Sequence, residues 1–132
     1  MTQSYEIDTS ILVRLMTGES AAAYRYCVES LRHLVTEEES QVYASNQVIG
    51  EAYVAVQHHY SVSEADARQA LLYVFSSGIV QPLNGWQAIQ AIEASRDPGL
   101  FDRLIADGYA QVGCETLTLD RKMARLSDTR LL

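Results

Sequence analysis

Two aspartates stand at the ends of segments that are typical of β-strands. Asp8 follows the short segment Ser4–Ile7, and Asp120 follows the alternating segment Glu115–Leu119. An acidic side chain in an apolar strand is costly unless a metal or hydrogen bonds offset its charge. Each aspartate could also be a helix cap, which is a common role for Asp after a strand. The carboxyl ends of parallel strands are where α/β proteins bind ligands, so these two acids can be neighbours in space.

Two further acids lie in apolar helical segments. Glu51 lies in residues 48–56, which contain no other charged residue. Asp102 shares its predicted helix face with apolar residues, and so does Glu51. These neighbours are Ile105, Ala106 and Tyr109 for Asp102, and Val48, Ala52 and Ala55 for Glu51. We therefore expect both carboxylates to face the core or a cleft.

Four clustered carboxylates, Asp8, Glu51, Asp102 and Asp120, would form an all-oxygen site. Such a site suits hard cations, Mg²⁺ or Mn²⁺, better than Zn²⁺. Without a cation the four charges would repel one another. With one, the site can hold a phosphate and activate water, which is the chemistry of phosphodiester hydrolysis.

The elements that must position these acids alternate between strands and helices along the chain. This alternation predicts an α/β fold, a three-layer α/β/α sandwich with a short parallel sheet. The expected strands are residues 4–8, 41–44, 79–83 and 115–120, with a last edge strand at 130–132. Polar residues that can cap the next helix follow the strands: Thr9 or Ser10, Ser45 or Asn46, and Asn84.

Composition limits the classes of function. The chain has 132 residues, so we expect one domain over residues 1–132. Its formal net charge of -7 argues against broad binding to nucleic acid backbones. Six of the ten basic residues lie after position 95, where a local positive patch could form. Cys27 and Cys114 suggest buried thiols rather than a zinc site. No segment is typical of a signal peptide or membrane span, which favours the cytoplasm.

Four short segments resemble the PIN domain family, and within it the VapC-type toxins of bacterial toxin–antitoxin pairs. They are Ile7–Leu12, Gly50–Val54, Phe101–Ala106 and Leu117–Arg121. The departures are Asp107, where the family more often has a small residue, and the short segment after Asp120. Asp107 could add a ligand, and the short segment puts the last strand in question.

This resemblance implies a PIN-like fold and a metal-dependent ribonuclease. It assigns Mg²⁺ or Mn²⁺ to Asp8, Glu51, Asp102 and Asp120, with hydrogen bonds supplied nearby by Thr9, Ser10 or Thr118. It also implies an RNA substrate, a homodimer and an antitoxin partner that covers the site.

Three other readings stay open from the sequence. A catalytically inactive PIN-fold interaction module is disfavoured by the retention of all four acids, and a nuclease for structured DNA is usually larger. A phosphatase of the haloacid dehalogenase type needs a second Asp two positions after Asp8, where this chain has Ser10.

Overall fold

The computed structural model describes residues 3–132 as two compact units, the first ending at Leu83 and the second beginning at Asn84. Over residues 3–132, none of the helices has both the length and the apolar character needed to cross a membrane. The expectation of a single domain over residues 1–132 stays a prediction.

The first unit alternates strands and helices around a parallel sheet. Its elements are β1 (Ser4–Glu6), α1 (Thr9–Thr17), α2 (Ala21–Thr36), β2 (Gln41–Ala44), α3 (Asn46–His59), α4 (Glu64–Ser76) and β3 (Gln81–Pro82). The strand order is β1-β2-β3, with Tyr5 opposite Val42 and Tyr43 opposite Gln81. The central strand β2 therefore lies between the other two, and all three run in the same direction.

Local signals in the sequence set the helix ends of this unit. The Ser45 hydroxyl accepts a hydrogen bond from the Val48 N–H, and the Ser63 hydroxyl accepts one from the Asp66 N–H. Helix α1 ends at Gly18, whose φ of 73° is left-handed and costs glycine little. Large apolar side chains from the helices, the sheet and the residue before β3 are fully buried: Leu12, Val42, Ile49, Val56, Leu71 and Val80.

The second unit contains two helices and two strands. Its elements are α5 (Trp86–Glu93), α6 (Leu100–Gln111), β4 (Thr116–Thr118), a 3₁₀ turn (Met123–Arg125) and β5 (Thr129–Leu131). The strands β4 and β5 pair in parallel, with Leu117 opposite Arg130. The predicted last edge strand is therefore present, despite the short segment after Asp120.

The predicted α/β class with a short parallel sheet is confirmed, but the strand pairings form two separate sheets. Some local predictions were wrong. Helix α5 is preceded by Gly85, not capped by Asn84, and the Asn84 side chain instead donates to Asp107. Cys114 is exposed and Cys27 is only half-buried, so neither is the buried thiol that we expected.

Candidate metal centre

Asp8 is the N-cap residue of α1 and lies directly before its first residue, Thr9. It follows the buried Ile7, and its Oδ1 accepts hydrogen bonds from the Ser10 hydroxyl at 2.5 Å and the Ile11 N–H at 3.3 Å. These two donors, the Ser10 hydroxyl first, hold the pKa of the exposed Asp8 carboxyl below its ordinary value. The predicted caps Thr9 and Ser10 are therefore wrong, because Asp8 itself caps the helix.

Glu51 is held beside the start of α1 by Thr9. The Thr9 hydroxyl donates to Glu51 Oε2 at 2.7 Å, and Gln47 Nε2 donates to Oε1 at 3.1 Å. The bond from Thr9, followed by that from Gln47, lowers the pKa of Glu51. Glu51, Thr9 and the neighbouring Asp8 thus form one polar group in the first unit.

Glu51 was expected to face the core or a cleft; its side chain is exposed, so it does not face the core. The buried residues of α3 are Ile49, Gly50, Ala52, Tyr53 and Val56. Successive helical residues point about 100° apart, so Glu51 turns away from the side chains of this set. Apart from Glu51, residues 48–56 are apolar on all sides of the helix, so the sequence did not show which face of α3 is buried and which lies beside Thr9.

Asp102 lies in the first turn of α6 and is half-buried. Its pKa is raised, mainly because burial disfavours the charged form and secondarily because the charge of Asp120 lies nearby. The sequence predicted that its apolar neighbours face inward. Ala106 is 7% exposed, as expected, but Ile105 and Tyr109 are exposed.

Asp120 is oriented by the backbone that follows β4. Its Oδ1 accepts from the N–H groups of Lys122 at 2.8 Å and Met123 at 3.3 Å, and its own N–H donates to the Thr118 hydroxyl at 3.0 Å. The Thr118 hydroxyl thus contacts the backbone of Asp120, and its supporting role in a metal site stays a prediction. Asp8 and Asp120 share a pattern in which main-chain N–H groups hold Oδ1 and leave Oδ2 for another ligand.

Two residues that sequence reasoning missed support the surroundings of Asp102. Lys122 Nζ lies 3.0 Å from Asp97 Oδ2, which links the turn after Asp120 to the loop before α6. Arg103, next to Asp102, donates from Nε to the Pro98 carbonyl at 2.9 Å and from Nη2 to the Arg96 carbonyl at 3.1 Å. The signal in the sequence is the segment Asp97-Pro98-Gly99, whose residue types are typical of a turn.

Asp107 is half-buried rather than a plain surface acid. Its Oδ2 accepts from Asn84 Nδ2 at 3.1 Å, and its Oδ1 accepts from Gln111 Nε2 at 3.3 Å. These donors satisfy the carboxylate without a metal. The structure therefore gives Asp107 a local hydrogen-bonding role.

The predicted ligands thus lie as one polar group in the first unit and one acidic pair, Asp102 and Asp120, in the second. Across residues 3–132, no three His, Cys, Asp or Glu side chains form a group that could hold a metal ion. The donor chemistry nevertheless fits a hard divalent cation, because the acids offer oxygen ligands and Asp102 and Asp120 raise each other's energy when both are charged.

Comparisons with known proteins identify the family. The model of the PIN domain matches residues 5–128, which is nearly the whole chain. None of the curated proteins matches the chain. A solved structure, VapBC2 from Rickettsia felis bound to a DNA fragment from its promoter, is similar at 17% identity and a TM-score of 0.43, with 98% of each chain covered.

PIN domains are generally nucleases and generally use divalent metal ions. The matched region contains all four acids that the sequence singled out, Asp8, Glu51, Asp102 and Asp120. The chain belongs to the PIN domain family.

Proposed function

We propose that this protein is an endoribonuclease that hydrolyses RNA with Mg²⁺ or Mn²⁺. The observation that carries the proposal is the pairing of Asp102 with Asp120. Burial, and after it the charge of Asp120, raises the pKa of the half-buried Asp102. No Lys or Arg among residues 3–132 forms an ion pair with either acid. Two carboxylates that repel each other and have no cationic side chain as partner are favourable ligands for a divalent cation.

The proposed ligands are Asp8, Glu51, Asp102 and Asp120. Asp8 and Asp120 each present one carboxylate oxygen whose partner oxygen is fixed by N–H donors, so their orientation is set before any ligand arrives. Glu51 is oriented at both of its oxygens, by the Thr9 hydroxyl and by the Gln47 amide. Fixed donors of this kind reduce the entropy that binding must otherwise lose.

A divalent cation supplies positive charge against the scissile phosphate and lowers the pKa of the attacking water. The chain's own part is to hold its carboxylates deprotonated and aimed. The hydrogen bonds that lower the pKa of Asp8 and Glu51 keep both acids charged at neutral pH. The pKa of Asp102 is raised by burial and by the charge of Asp120, so a bound cation would favour its charged form.

The choice of RNA and the role as the toxin of a toxin–antitoxin pair rest on the resemblance of four short segments to VapC-type toxins. A net charge of -7 fits local contacts with RNA better than broad tracking of the backbone. We further propose that the protein acts in the cytoplasm as a homodimer and binds an antitoxin whose basic side chains meet the acidic site.

Cleavage of single-stranded RNA with added Mn²⁺ or Mg²⁺ tests this proposal. We expect Asp8→Asn and Asp102→Asn each to reduce the rate by more than about 100-fold, since even outer-shell partners of metal ligands cost 10–100-fold. Asp66→Asn, an exposed acid in the first turn of α4, is the matched control and should cut like the wild type. Equal cleavage by all variants would show that the assigned site is wrong.

Two alternatives give different results in the same experiment. An inactive interaction module would cut neither RNA nor DNA, with either metal, although it could still bind a protein partner. A nuclease for structured DNA would cut flap or branched DNA faster than RNA. Both substrates should therefore be compared at equal concentrations of protein and metal.

A further inference from the structure

The second unit contains a cavity of about 390 Å³, and none of the proposed metal ligands is among the residues that line it. It lies between α5, α6 and residues 126–128, and we refer to it as the α5–α6 cavity. Its volume falls within the range of small-molecule sites. The buried alanines Ala91 and Ala106, each 7% exposed, line it and leave room for a ligand.

The polar side chains that line the α5–α6 cavity are available to a ligand. Within residues 3–132, the side chains of Gln87, Gln90, Ser127 and Asp128 have no hydrogen-bond partner in the protein. The two amides can donate and accept, and the carboxylate accepts only. The cavity therefore suits a ligand that carries both N–H donors and carbonyl acceptors.

The charges around the α5–α6 cavity disfavour phosphate. Asp107 and Asp128 contribute two carboxylates, against one guanidinium from Arg103. Arg103 already uses Nε and Nη2 on the carbonyls of Pro98 and Arg96. A nucleic acid would therefore place an uncharged base here and not its backbone.

Asp128 is held in place by the neighbouring sheet. Its carbonyl accepts a hydrogen bond from the Thr116 N–H at 2.8 Å, directly before the paired residues of β4 and β5. Its φ of 55° is left-handed, a conformation that Asp tolerates better than most residues. The backbone that carries this carboxylate is therefore fixed before any ligand binds.

The α5–α6 cavity is close to a proposed metal ligand on the same helix. Ala106 follows Asp102 by four residues on α6, which corresponds to about 6 Å along the helix axis. A base in the cavity would therefore belong to a nucleotide near the phosphate to be cut.

An exposed tryptophan adds a surface for stacking. Trp86 is 64% exposed and precedes Gln90 by four residues on α5, so the two side chains lie on the same helix face. Bases of single-stranded RNA commonly stack on aromatic side chains. Trp86 is also the one tryptophan of the sequence, which makes its fluorescence a specific probe.

We propose that the α5–α6 cavity is a guanine-binding subsite for single-stranded RNA, an inference that rests on the proposed ribonuclease function. Guanine presents two adjacent donors, N1–H and the N2 amine, which a carboxylate such as that of Asp128 can accept together. Its neighbouring O6 can accept from the amide of Gln90 or Gln87. Adenine, cytosine and uracil do not present this pattern of two donors beside one acceptor.

Binding is tested with five-nucleotide RNAs of sequence UUXUU, where X is guanine, inosine, adenine, cytosine or uracil. Titration in EDTA, followed by Trp86 fluorescence, separates binding from metal-dependent cleavage. We expect guanine at X to bind at least about tenfold tighter than the other four, as for a good bidentate base contact. Inosine, which lacks only the N2 amine, tests the carboxylate contact directly.

Variants assign the preference to the cavity. Gln90→Ala and Asp128→Asn should reduce the preference for guanine to below about threefold, because each removes one part of the contact. Gln69→Ala, an exposed glutamine on α4, and Glu93→Gln, an exposed acid on α5, are matched controls that should keep it. Asn also tolerates a positive φ, so Asp128→Asn should fold normally.

The outcomes distinguish this subsite from the proposed function. Guanine-selective binding in EDTA without any RNA cleavage in Mn²⁺ would support the subsite and contradict the ribonuclease. Cleavage without selective binding, or a preference that survives both variants, would overturn the subsite and leave the ribonuclease standing.

Discussion

Asp8 has two separable roles, and replacing it in two ways should separate them. As the N-cap of α1 it accepts from the Ile11 N–H, and as a proposed ligand it offers a charged oxygen. Asn at position 8 keeps a side-chain oxygen for the cap and removes the charge. Ala removes both the cap and the charge.

The size of the cap effect follows from the geometry. Loss of an N-cap oxygen costs about 1 kcal/mol of stability. For a chain of this size, that lowers the melting temperature by roughly 3–5 °C. We therefore expect Asp8→Ala to melt several degrees below the wild type in EDTA and Asp8→Asn to melt within about 2 °C of it, because Asn and Asp cap almost equally well.

Thermal unfolding followed by circular dichroism, together with RNA cleavage in Mn²⁺, measures both roles on the same samples. Both variants should lose more than about 100-fold in cleavage rate, although only Asp8→Ala is destabilised. Cleavage of RNA by Asp8→Asn at the wild-type rate would refute the role of Asp8 as a ligand. The reasoning about the cap is refuted if Asp8→Asn melts as low as Asp8→Ala, since the cap would then depend on the charge.

Four further predictions concern the remaining acids. Asp120→Asn should lower the pKa of Asp102, measured by NMR titration of its carboxyl carbon, because the nearby charge is removed; an unchanged value would contradict the pairing. The pKa of Asp102 is raised in the folded protein, so the contribution of Asp102 to stability is present below its ordinary pKa and is lost as the pH rises through the raised value. Over that pH range, the metal-free wild type should lose more free energy of unfolding than Asp102→Asn does, as measured by denaturant unfolding. Thr9→Val should raise the pKa of Glu51 more than Gln47→Leu does, because the bond from Thr9 is the larger cause of its lowered value; the reverse order would contradict this assignment. Finally, millimolar Mg²⁺ or Mn²⁺ should raise the melting temperature of the wild type and not that of Asp102→Asn, and an equal rise in both would exclude Asp102 as a ligand.

The sequence by itself determined the local parts of this protein. Ser45 could be predicted to cap its helix, because a cap accepts from an N–H only three residues ahead. The strand ends that carry Asp8 and Asp120 were also visible, since alternation over a few residues marks a strand. These features depend on neighbours in the chain and need no tertiary contact.

Only the tertiary structure decided how the acids are held. Thr9 bonds to Glu51 across 42 positions of sequence, and the pKa of Asp102 responds to Asp120, which lies after another turn and a strand. The exposure of Glu51 depended on which face of α3 is buried, which an all-apolar segment does not reveal. Such pairings follow from the packing of elements that are distant in the chain. The residue types therefore indicated the four acids, and the fold determined their hydrogen-bond partners and the direction of their pKa shifts.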